Sequence, residues 1–294
     1  MNIVVTGSLG HISQPLAIEL VQKGHAVTVI SSKPEKQKDI EAIGAIAAIG
    51  SLEDVDFLTA TFTGADAVYT MVPPNFAEAS IRAYYARVGR NYAQAIQQAG
   101  IRRVVYLSSY GADLDTGIGL ILGAQDVEGI LSVLADVAIT YLRPTYFYYN
   151  LYAFVDMIKG AGLIAANYGG TDKLVMVAPA DIAAVAAEEL TIETTGHTVR
   201  YIASDERTGT DIARVLGEAI GKPDLTWTVI PDEQMQRGME ANGVPPQLAA
   251  DFVDMFASVR NGDLSRNYYR HPPTALGSVK LDDFAKEFAS VYKG

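Results

Sequence analysis

Six strand-like apolar runs alternate with helix-like segments through the first half of the chain, and few architectures accept that pattern. The runs are NIVVTG, HAVTVISS, AIAAIG, AVYTMV, RVVYLSS and ITYLRP, and the amphipathic stretches between them are 16–22, 36–43, 55–62, 81–98 and 126–134. Strand, helix, strand repeated this often predicts an α/β fold with a doubly wound parallel sheet covered on both faces. Gly24, Gly44, Gly64 and Gly100 each close a helical segment, where a left-handed residue is wanted, and a strand follows each.

Beyond Pro144 the regularity weakens. The polar turn NYGGTDK precedes LVMVAP, and DIAAVAAEEL reads as a helix capped by Asp181. TVRYIAS reads as a strand returning to the main sheet. DLTWTVIP, a helical stretch 232–259 and the tail 281–292 complete a smaller mixed part. The expected division is a Rossmann-type domain over 1–150, joined by 174–205, with 151–173 and 206–294 forming the smaller part. No linker or repeat separates them, which suggests one body with a cleft.

Composition removes several classes of function. There are no cysteines, so disulfides, thiolate zinc sites and a cysteine nucleophile are excluded. His11, His25, His197 and His271 are scattered and form no HExxH-like spacing, so no metal site is expected. The net charge of −11 argues against nucleic acid and anionic membrane as partners and leaves small molecules as the better class. No apolar run reaches the roughly 20 residues needed to span a bilayer. Met1 leads into NIVVTG without a basic leader, and a cytoplasmic location is expected.

In a doubly wound sheet, ligands bind beyond the carboxyl ends of the strands, so the residues just after each apolar run carry the information. After the first strand stands TGSLGHIS, in which Thr6, Gly7, Gly10 and Ser13 fall as GxxGxxS. Gly7 permits a tight turn, Gly10 lets a pyrophosphate approach the backbone, and the N-terminus of the following helix offers N–H groups and a positive dipole end. Pro15 suits the first helical turn. Strand, loop and helix in that order make this a dinucleotide-type phosphate loop.

With TGSLGHIS, the YTMVPPNF after the fourth strand, the RRVVYLSSYGA of the fifth and the TYLRPTYFYYN of the sixth, the chain resembles the NmrA-like group of atypical short-chain dehydrogenase/reductases. Ser13 departs from the usual third glycine, but serine is small enough for close packing. The resemblance implies NADP(H) binding, and the residues agree independently. An NAD site places Asp or Glu after the second strand to hold the ribose 2′-OH. Here Ser31, Ser32 and Lys33 stand there instead, suited to a 2′-phosphate, so NADP(H) is expected in preference to NAD(H).

By position, Leu9 and Ile12 join Thr6, Gly7 and Gly10 in the cofactor loop, and His11 reads as a donor to the pyrophosphate or to a substrate oxygen, or else as a solvent-exposed loop histidine. Gly50, Ser51 and Leu52 fall near the adenine, where each reads equally as cofactor wall or plain turn. Met71, Val72 and Pro73 face the ribose and nicotinamide side, and Ser108 and Pro144 complete the set.

The usual proton donor of short-chain dehydrogenases is a Tyr acidified by a Lys four residues on. No YxxxK occurs, and no lysine lies between Lys38 and Lys159; Gly123 or Ala124 stands where it is expected, followed by Glu128. Reduction of a quinone or another conjugated acceptor, with the proton taken from water, remains open. Tyr110 and Tyr146 are the weak catalytic candidates. They join Phe147, Tyr149 and Asn150 as the expected substrate wall. The alternative is a non-catalytic NADP(H)-responsive sensor acting through a protein partner.

Overall fold

A computed structural model describes all residues, Met1–Gly294. The chain divides into two units: 1–112, 122–143 and 182–200 form the first, and 113–121, 144–181 and 201–294 the second. The segment 174–205 is thus shared between them. None of the helices is long and apolar enough to cross a membrane.

The first unit carries β1 (Asn2–Val5), α1 (Ser13–Gln22), β2 (Ala26–Ser31), α2 (Gln37–Ala42), β3 (Ile46–Ile49), α3 (Val55–Phe62), β4 (Ala67–Thr70), α4 (Ile81–Ala99), β5 (Arg103–Leu107), α5 (Leu122–Leu131) and β6 (Ala138–Pro144). Most of α7 (Pro179–Thr191) and of β10 (His197–Ile202) belongs to it as well. The sheet order is β10-β6-β5-β4-β1-β2-β3. The pairs from β3 across to β6 are parallel, with Ile3 opposite Val27 and Ala67. The order reverses at β1, where the chain winds first to one side and later to the other. In such sheets that switch point is the binding crevice.

Side chains alternate across each strand. Val4, Val68, Val104, Tyr106, Ile139 and Tyr141 face one way and pack with Leu58 and Phe62 of α3, Val88, Tyr92 and Ile96 of α4, and Val127 of α5. The buried positions of α4, at 84, 88, 89, 92, 95 and 96, keep the three- and four-residue spacing of one helix face. Ser80 caps its start by accepting from Ala83 N, and Gly100, at φ 70°, ends it in the left-handed conformation that a side chain disfavours. α5 begins a turn earlier than the sequence pattern suggested, and Gly123 in its first turn lies close enough to Tyr85 that a Cβ would stand 2.8 Å from the ring.

The second unit holds two small sheets. β7 (Tyr146–Phe147), β9 (Lys173–Val177) and β11 (Asp205–Thr208) form one, with β9 parallel to β7 and antiparallel to β11. β8 (Ile164–Ala166) and β12 (Trp227–Val229) pair in parallel as the other. Its helices are α6 (Val155–Ala161), α8 (Gly209–Ile220), α9 (Asp232–Ala241), α10 (Pro246–Arg260), α11 (Arg266–Arg270) and α12 (Leu281–Lys293). Aromatic contacts hold α12: Tyr148 stacks on Phe284 at 5.2 Å and Tyr152 on Phe288 at 5.8 Å.

Two local expectations are corrected. Asp181 is not the cap of α7, which starts at Pro179; its carboxylate accepts from Ser204 Oγ, Ser278 N and Oγ and Val279 N. These four donors, brought by the fold, displace the local N–H groups. The helical stretch 232–259 breaks at Asn242, because Gly243 is left-handed (φ 85°) and Pro245 has no N–H to continue a helix.

Candidate functional site

The β1–α1 connection follows the expected loop, and the structure shows what holds it. Gly7 sits at φ 91°, where a side chain is strained. A Cβ built on Gly7 would stand 2.6 Å from Ser13 Oγ, so glycine is required there by space as well. Ser13, in the third-glycine place, is buried and donates to Thr6 O at 2.8 Å, so its hydroxyl stitches helix to strand. Ser8 also has a positive φ of 55°. Its N–H donates to Ile30 O and its hydroxyl to Ser31 Oγ, which anchors the loop to the end of β2.

α1 begins after Ile12 with no side-chain cap and no acidic residue in its first turn. An uncapped helix N-terminus beside an exposed Gly10 is chemically suited to an anion. Ile12 is buried, Leu9 half-buried and His11 exposed. The loop therefore fits a pyrophosphate through its backbone.

Thr6 is fully buried, and its Oγ1 accepts from Met71 N at 3.0 Å. Tyr92 reaches from α4 to donate to Met71 O at 2.7 Å. These bonds tie the ends of β1 and β4 together beneath the loop and fix Met71, with Val72 buried and Pro73 half-buried beyond it. Burial pushes the Tyr92 phenol well above its ordinary pKa, so it remains a donor.

The three residues after β2 divide in role. Ser31 is buried, and its Oγ pairs with Ser8 Oγ and accepts from Lys33 N at 3.2 Å, so it shapes the turn. Ser32 and Lys33 are exposed, and the Lys33 ammonium makes no ion pair. After β3, Gly50 lies against the Phe57 ring, which a Cβ would strike at 2.6 Å. Ser51 is exposed, with its hydroxyl accepting from Glu53 N in the turn before α3, and Leu52 is half-buried.

At the end of β5, Ser108 is buried and donates to Glu128 Oε1 at 2.5 Å. Glu128, on α5, also receives Arg143 Nε at 3.0 Å and Nη2 at 2.6 Å, a two-pronged pair shut away from water. From the sequence, Ser108 and Glu128 were named separately and not connected. Arg143, a charge inside the apolar run YLRP, was the signal for the link. Tyr110 is buried at 7 % exposure.

The remaining expected residues lie in the second unit. Pro144 and Tyr146 are buried, and Tyr146 OH bonds Tyr168 OH at 2.9 Å. Burial raises the Tyr146 pKa well above its ordinary value. The phenol is thereby kept protonated and made a weaker acid, and with its ring buried Tyr146 offers no open stacking face. Phe147 and Tyr149 are half-buried with ring centroids 5.0 Å apart, and Asn150 is half-buried. Of the five residues read as a substrate wall, this ring pair and Asn150 keep exposed surface.

The chain matches the model of the NmrA-like family over residues 1–265. It belongs to that family. A NAD(P)H azoreductase of Xenophilus azovorans is 25 % identical over 258 residues, which cover 87 % of this chain and 86 % of that one. The solved Citrobacter sp. triphenylmethane reductase complexed with NADP(H) superposes with a TM-score of 0.78 at 20 % identity, over 98 % of this chain and 99 % of that one. A NADPH-dependent quinone oxidoreductase from Escherichia coli gives 0.78 at 22 %, covering 97 % and 98 %. This NmrA-like chain thus shares its α/β Rossmann fold with reductases across nearly its whole length.

Proposed function

We propose that this protein is an NADPH-dependent reductase of small conjugated acceptors such as quinones. The observation that carries the reading is the uncapped α1 N-terminus behind the Gly7–Gly10 loop, with Ser32 and Lys33, and no carboxylate, after β2. The reductase names of the relatives support it. The cofactor, when bound, supplies a hydride. The protein's part is to hold it through the loop, to set Met71–Pro73 by way of Thr6 and Tyr92, and to present acceptor surface, for which Phe147 and Tyr149 are the candidates. The quinone gains the hydride and one proton from water to become the hydroquinone. No Tyr/Lys pair is needed for this, because a conjugated acceptor leaves a stabilised anion where a simple carbonyl leaves an alkoxide.

The test is NADPH consumption across quinones, azo dyes, enones and aldehydes. Turnover of the conjugated acceptors and poor turnover of aldehydes is the expected result; no turnover of any of them refutes it. In the same assay Tyr110→Phe should retain quinone activity to within about tenfold of wild type. Losing a positioning hydrogen bond costs about 0.5–1.5 kcal/mol, roughly tenfold in kcat/KM. A loss beyond about a thousandfold would show that Tyr110 is a general acid after all.

Cofactor choice has a separate test. Lys33→Ala should weaken NADP(H) binding by roughly 1.5–3 kcal/mol, about one to two decades, while leaving NAD(H) affinity unchanged. Titration calorimetry with both cofactors reads this directly. Equal losses for both would mean that Lys33 does not meet a 2′-phosphate.

A further inference from the structure

The Met71 thioether is pressed against the phosphate loop. A Cβ on Gly7 would stand 3.0 Å from Met71 Sδ and 3.1 Å from its Cγ, so the side chain packs directly on the Gly7 Cα. Ser13 Oγ closes in on the same point. Met71 cannot withdraw by shifting its main chain, because its N–H is held by Thr6 and its carbonyl by Tyr92. Gly7 has little room to adjust at φ 91°. Met71 is nevertheless half-buried, whereas Met176 is fully enclosed.

We propose that Met71 is an oxidative modification site through which hydroperoxides weaken dinucleotide binding; the inference rests on the cofactor reading above. The sulfur lone pair attacks a hydroperoxide oxygen, the S–O bond forms as the O–O bond breaks, and the departing oxygen takes up the proton. With hydrogen peroxide the products are the sulfoxide and water, the sulfide losing two electrons and the peroxide gaining them. The sulfoxide is polar and larger, and methionine sulfoxide reductases reverse it. Its new oxygen either displaces Gly7 or turns into the space beside the loop. Both outcomes spoil the backbone surface that suits a pyrophosphate.

The experiment treats the full chain with hydrogen peroxide, maps sulfoxide at each methionine by peptide mass spectrometry, and measures NADPH affinity by calorimetry before and after, for wild type and Met71→Leu. Met71 should oxidise faster than Met176, and more slowly when NADPH is bound. Wild-type Kd should rise by about tenfold or more. Treated and untreated Met71→Leu should agree with each other, whatever their common affinity. Three results overturn the inference alone: Met71 staying reduced while exposed Met157 oxidises, Met71 fully oxidised with Kd unchanged, or both proteins losing affinity alike. Untreated wild type that binds no NADPH overturns the cofactor reading, and the inference with it.

Discussion

Gly10→Val should abolish dinucleotide binding while leaving the fold in place. Gly10 is exposed, its φ is not in the left-handed region, and an added Cβ would meet only Gly7 O, at 3.1 Å. The substitution therefore asks the Gly7 carbonyl to give by a few tenths of an ångström, a strain confined to the loop that leaves the rest of the fold in place. Its branched side chain, however, stands where a pyrophosphate must approach the loop and the α1 N-terminus. Losing two or more charge-assisted hydrogen bonds, each about 1.5–3 kcal/mol, lowers affinity by roughly a hundredfold or more. Circular dichroism should overlay wild type while the cofactor-induced rise in melting temperature disappears. A mutant with the full rise would refute the loop assignment. Gly7→Ala makes the contrast: at φ 91° and 2.6 Å from Ser13 Oγ, it should lose stability as well as binding.

The main sheet was legible because its central strands are buried on both faces and read as continuous apolar runs, with left-handed glycines closing the helices between them. Ala67–Thr70 is buried at every position, and Gly24, Gly44, Gly64 and Gly100 all have positive φ. The second unit resisted for the opposite reason. Tyr146–Phe147, Ile164–Ala166 and Trp227–Val229 are too short for a period to show, and contacts such as Tyr148 on Phe284 join residues far apart in the chain. The same division runs through the candidate site. Glycine spacing announced the phosphate loop, since backbone geometry is written locally. The roles of hydroxyls were not written there: Ser31 turned inward to Ser8, Tyr146 found Tyr168, and Tyr92, mid-helix and unremarked, came to hold Met71. A hydroxyl's partner depends on what the fold brings within 3 Å, which no local pattern encodes.

Glu128→Ala is the substitution expected to cost the fold most. The Glu128 carboxylate takes two bonds from Arg143 and one from Ser108, and all three residues are buried. Such a pair contributes little net stability relative to an apolar filling, since desolvating both charges offsets most of their attraction. Removing one partner is different, because the other charge is then buried without its counterion, at about 3–5 kcal/mol. For a chain of this length that corresponds to a fall of about 5–8 °C in melting temperature. Glu128→Gln keeps the shape and one acceptor oxygen, so it should lose less than the alanine variant. The double variant Glu128→Leu/Arg143→Met removes both charges, and should recover much of the loss that Glu128→Ala alone suffers. Urea denaturation of the three variants makes the comparison. A double variant no more stable than Glu128→Ala would mean that the carboxylate's bond to Ser108, and with it the end of β5, matters more than the stranded arginine. A Glu128→Ala protein within about 1 kcal/mol of wild type would show that water reaches the pair, since an exposed ion pair is worth no more than that.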